Sequence, residues 1–130
     1  MHDRVARAAS NQESPYGIAA DASNVYSTHN LADGTVMKVP IAGGVATPLA
    51  SGQELPWAIA VDATSVYWTT CSTDSSGTVM EVPIAGGTPT KLASNQYFPR
   101  GIAVDATSVY WATFNSSTSD RGMVLKLTPR

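Results

Sequence analysis

Thiol and imidazole are scarce in this chain. Its 130 residues hold one cysteine, Cys71, and two histidines, His2 and His29. A lone cysteine excludes an intrachain disulfide and a cysteine-based metal cluster. Charge is thin as well: 14% of residues are Asp, Glu, Lys or Arg, against the ~25% usual for a globular domain. The net charge of −2 gives no electrostatic footprint for nucleic acid or an acidic membrane. No apolar run approaches the roughly 18 residues of a transmembrane helix. Met1–Arg7 is charged and lacks the apolar core of a secretory signal. The expectation is a soluble chain without signal or membrane span, its compartment unassigned. Helix-period runs with caps are missing throughout.

Thr, Ser, Val, Ala and Gly fill the space that charge leaves, and they favour strands and turns. They come in copies. Asp21, Asp62 and Asp105 head equivalent segments, Asp-Ala-Ser-Asn-Val-Tyr once and Asp-Ala-Thr-Ser-Val-Tyr twice, spaced by 41 and 43 residues. Pro40 and Pro83 each begin Pro-Ile-Ala-Gly-Gly, and Gly34, Gly77 and Gly122 precede related strands. A period near 43 residues falls in the range of four-stranded propeller blades, about 40 to 50.

Each full copy reads as four strands. Strand A covers 16–20, 57–61 and 101–104, short apolar runs expected to be buried on both faces. An Asp turn follows, whose carboxylate can bond amides two residues on. Strand B covers 25–28, 66–70 and 109–113 and is rich in β-branched and aromatic residues. Strand C covers 35–41, 78–84 and 123–128, alternating apolar with polar. Ala-Gly-Gly then turns the chain, two glycines supplying positive φ, and strand D covers 47–51 and 88–94.

The N-terminus fits the same scheme. Ala8-Ala-Ser-Asn-Gln stands before Pro15 as Leu49-Ala-Ser-Gly-Gln and Leu92-Ala-Ser-Asn-Gln stand before Pro56 and Pro99. Residues 4–10 are therefore expected to be a strand D. Repeat one spans 15–53, repeat two 56–96, and an incomplete repeat three 99–130. The order D, ABCD, ABCD, ABC leaves at one end the strand missing at the other.

Gly101-Ile-Ala-Val-Asp followed by Val109-Tyr-Trp resembles the YWTD repeats of low-density-lipoprotein-receptor-type propellers, and is similar to NHL-type repeats. The resemblance covers nearly the whole chain and implies a β-propeller, commonly with six blades. The chain departs from YWTD where that family has its Asp: Thr70, Thr113 and His29 stand there. Three twisted sheets are too few to close a ring, and open faces associate. The expected fold is all-β, three four-stranded blades per chain forming half of a six-bladed ring closed by a head-to-tail homodimer. Its seams would together exceed roughly 2,000 Å². A fragment of a longer ring is the alternative.

Functional candidates lie on the face where the D–A and B–C loops emerge, because these differ between copies while the Asp and Gly-Gly turns repeat. Tyr16, Trp57 and Arg100 occupy one equivalent position after the proline, residue types that carry binding energy at interfaces. A structural plug of the channel is the competing role. Glu13, Glu54 and Tyr97 share another position, where paired carboxylates could hold a cation or merely face water. His29 lacks a nucleophile motif around it, and Cys71 has no basic neighbour in sequence to lower its pKa. Asp33, Asp74 and Asp120 lack calcium-loop spacing. Trp68 and Trp111, with Ser27 in the first copy, read as core between blades, and Tyr26, Tyr67 and Tyr110 as packing on the opposite strand face.

The function expected is a non-catalytic binding or scaffold module for a protein or carbohydrate, without metal or cofactor. A propeller enzyme of lyase or lactonase type, centred on a metal or on His29 with Glu13 and Glu54, is one alternative. A fragment or engineered half-propeller without an evolved ligand is another.

Overall fold

The computed structural model describes residues 6–71, 76–114 and 122–130. Among these the regular structure is all strand: β1 (Pro15–Ala20), β2 (Asn24–His29), β3 (Gly34–Pro40), β4 (Thr47–Gln53), β5 (Pro56–Val61), β6 (Ser65–Thr70), β7 (Gly77–Pro83), β8 (Thr90–Gln96), β9 (Pro99–Val104), β10 (Val109–Thr113) and β11 (Met123–Leu127). They form two four-stranded antiparallel sheets, β1–β4 and β5–β8, and a three-stranded sheet, β9–β11. No helix of the described residues is long and apolar enough to cross a membrane.

Each sheet is a simple meander, and the register repeats. Tyr26 faces Lys38, Tyr67 faces Glu81 and Tyr110 faces Lys126 across the second and third strands. Repetition of sequence therefore becomes repetition of pairing. The connections repeat too. Gly43 and Gly44 have φ of 94° and 143°, Gly86 and Gly87 of 101° and 137°, values that side chains disfavour. In each case the first glycine's amide closes the turn on the proline carbonyl three residues back, at 2.9 Å.

The core lies between sheets. Tyr26, Val36 and Ala50 of the first sheet meet Ile59, Val66, Trp68 and Val82 of the second. Tyr67 and Val79 of the second meet Val109 and Trp111 of the third. Each seam thus takes its tyrosine from one blade and its tryptophan from the next, which settles the expected roles of both. Tyr110 and Ser27 hold the two unmatched positions at the open ends.

One expectation differs from the structure, and a second falls partly outside the described residues. Strand A is not buried on both faces: β1 is mostly exposed, and β6, the second strand of the middle sheet, is the strand buried along its whole length. The first strands lie beside one another, so only their flanks are covered. Residues 6–14 form no strand, although 4–10 read as strand D. They pass the first sheet's open face, the carbonyls of Arg7 and Ala8 coming close to Gly43. The outer strands β4 and β8 each pair with the third strand of their own sheet, and among the described residues 6–14 pair with no such strand.

Candidate functional site

Tyr16, Trp57 and Arg100 follow the prolines that open β1, β5 and β9, and the structure brings them together. The Tyr16 and Trp57 rings lie 4.4 Å apart, tilted by 55°. The Arg100 guanidinium sits 4.9 Å over the Trp57 ring, 4.7 Å over Phe114 and 5.7 Å over Phe98. Phe98 meets Phe114 edge-on at 6.4 Å and Tyr97 at 5.0 Å. Six side chains make one surface, with Tyr16, Arg100 and Phe114 exposed. A cation within about 6 Å of a ring centroid is held by the ring's quadrupole. Among the described residues no carboxylate pairs with Arg100; the ion pair there is Arg130 with Asp62, 3.1 Å apart.

The loops that carry this surface are held from below. Asn11, Gly52 and Asn95, and again Ser14, Leu55 and Phe98, adopt positive φ between 44° and 66° at matching places before the prolines. This left-handed double turn aims the next residue at its neighbour. The following blade is clamped as well. Thr28 donates to the Trp57 carbonyl at 2.7 Å and accepts from the Gly17 amide at 2.8 Å. Asn30 donates to the Pro56 carbonyl, and Cys71, at the matching position, donates its thiol to the Pro99 carbonyl, both at 3.1 Å.

On the opposite face, Asp21, Asp62 and Asp105 each take two backbone amides on one oxygen and a tyrosine hydroxyl on the other. The Asp105 carboxyl is held at about 2 by the Tyr110 hydroxyl and the Thr107 and Ser108 amides. These aspartates build turns.

No family model matches the chain, and no curated protein matches it. Among solved structures it is similar to a chain in the crystal structure of a nidogen/laminin complex, with TM-score 0.75 and 21% identity, covering 90% of this chain and 45% of that one. The sheets are blades of a β-propeller. At that identity the likeness shows the fold alone, and the chain spans less than half of the neighbour it matches.

Within the propeller the remaining candidates part company. Glu13 and Glu54 are exposed, and the described residues bring no three His, Cys, Asp or Glu side chains together as a metal site. His29 is buried, its ring contacting Ser27 Oγ at 3.4 Å. Burial lowers its pKa, against a hydrogen bond to the Glu13 backbone that raises it. Asp74 and Asp120 lie outside the described residues. Cys71 is buried, and burial pushes its thiol up to about 11, Arg100 opposing. Sequence reasoning missed the packing of Phe98 and Phe114 around Arg100. The signal was positional: Phe114 stands where Asn30 and Cys71 stand, at the point of contact with the next blade.

Proposed function

We propose that the chain is a non-catalytic propeller module that binds a protein segment on the face carrying Tyr16, Trp57 and Arg100, within a six-bladed ring. The observation that carries this is the joined surface of Arg100 with Trp57, Phe98 and Phe114, 4.7 to 5.7 Å from the guanidinium. An arginine packed among rings loses little freedom on binding and keeps N–H groups for a carboxylate. Tyrosine, tryptophan and arginine dominate interface energetics. A segment pairing an acidic side chain with an apolar one fits both halves of the surface. The neighbouring structure is itself a complex between proteins, which agrees with this reading.

Selection of displayed peptides tests it, with counter-selection on the Trp57→Ala/Arg100→Ala double variant. Acidic, apolar-flanked peptides that bind the wild type and not the variant are expected. Peptides that bind both equally, or glycans captured in their place on an array, would replace this reading.

A further inference from the structure

The chain's open faces carry the two halves of its own internal seam. Ile59 is 8% exposed, while Ile18, its counterpart on the first sheet, is 73% exposed. Val36 and Val79 are fully buried, while Val124, their counterpart on the last sheet, is 82% exposed. Among the described residues, the first sheet is therefore without the tyrosine-bearing side of a seam, and the last sheet without the tryptophan-bearing side. One chain presents both.

Beside the N-terminal segment a cavity of about 480 Å³ lies over Ile18, Val25, Ser27 and Val39. Ser27 stands where the other blades have tryptophan, and it lines the hollow, where a tyrosine from a preceding blade would enter. The segment itself is set for the role of outer strand. Gln12 bonds the Ser10 carbonyl at 2.9 Å, as Gln53 bonds Ser51 at 3.1 Å and Gln96 bonds Ser94 at 2.9 Å at the ends of β4 and β8. Its φ at Asn11 is 57°, against 66° at Gly52 and 58° at Asn95. The end of strand D thus keeps its shape without a sheet to hold it.

We propose that a second copy of this chain docks head to tail on these faces, Tyr110 and Val124 of one copy entering the hollow over Ile18 and Ser27 of the other. Two such seams close by twofold symmetry. The internal pairs Val36–Ala50 and Val79–Ala93 fix the register: Val124 of one copy stands opposite Ala9 of the other. Closure also completes the binding face, and in this it rests on the reading above. Tyr16 meets Trp57, and Trp57 meets Arg100, within one chain; Arg100 then meets Tyr16 of the second copy, making an unbroken ring of six side chains.

The test is an Ala9→Cys/Val124→Cys variant of the full chain carrying Cys71→Ser, oxidised in air and run without reductant beside each single variant. A covalent dimer from the double variant alone is expected. Covalent monomer would mean that the chain's own ends meet, open-ended multimers that the ring does not close, and no cross-link that another partner covers these faces; each overturns the proposal. Val124→Asp, at a position exposed in the single chain, keeps the fold by circular dichroism and elutes as a monomer. A Val124→Asp dimer would also overturn it. Peptide selection is read independently, so failure to dimerise and failure to bind are separate results.

Discussion

The Tyr67 hydroxyl donates to Asp62 Oδ2 at 2.7 Å, and Arg130 Nε reaches the same oxygen at 3.1 Å. Asp62 Oδ1 meanwhile accepts the amides of Thr64 and Ser65. One carboxylate so ties a turn, the strand that follows it and the chain's last residue. Tyr26–Asp21 and Tyr110–Asp105 repeat the pair at 2.7 and 2.6 Å.

Tyr67→Phe removes a part-buried hydrogen bond to a charged group. The expected loss is about 2 kcal/mol, read from the urea midpoint. Tyr110→Phe removes the same bond where it is exposed, so a smaller fall of the midpoint is expected.

Acid should unfold the protein through these aspartates. The Tyr26 hydroxyl, the Asn24 and Ser23 amides and Asp21's own amide hold the Asp21 carboxyl low against burial. Burial raises Asp62, but Tyr67, the two amides and Arg130 outweigh it. A carboxyl lowered in the fold gives stability that is present above its unfolded value near ~3.9 and lost as pH falls through the folded value. The window closes near 2, where Asp105 titrates. Urea midpoints that fall between about pH 4 and 2 check this, with a shallower fall in Tyr67→Phe.

His29 works in a higher window. Burial lowers its pKa, so the fold prefers the neutral ring. Stability is present above the unfolded value of ~6.5 and declines as pH falls below it. Thermal midpoints should drop from neutral pH toward about 5, and His29→Gln should flatten that drop.

Trp68 is fully buried and its Nε1 donates to Gln53 Oε1 at 3.1 Å. Trp68→Ala should lose about 3–5 kcal/mol. Ser27→Trp is the opposite experiment: it fills the hollow of the first sheet and gives its indole N–H the acceptor that Gln12 offers by analogy with Gln53. A higher thermal midpoint is expected.

Cys71 should react slowly. Its thiol is buried and bonded to Pro99, and raised to about 11, so a thiol reagent at pH 8 should label it only as fast as the blades open. Cys71→Ser keeps a donor and the stability; Cys71→Val loses both.

The antiparallel sheets were legible because turn chemistry and β-branched runs act locally. The Asp turns, the Gly-Gly turns and the alternation of β3 and β7 all follow from neighbours in sequence. What was not legible depended on a second sheet. Burial of strand A was overestimated because an apolar run such as residues 16–20 does not say whether a wall faces it. Cys71 looked like a loop thiol because its partner, the Pro99 carbonyl, is 28 residues away. The grouping of Tyr16, Trp57 and Arg100 was legible in their equivalence between repeats; that of Phe98 and Phe114 was not, since their contact with Arg100 is set by where the blades meet.

Absolute mass by light scattering after size exclusion, followed across about a hundredfold dilution, tests most directly whether the chain's two ends are halves of one seam. A mass near twice 13.6 kDa that persists on dilution is expected. A stable monomer with its Val124 and Ile18 faces open to water would overturn the shared seam.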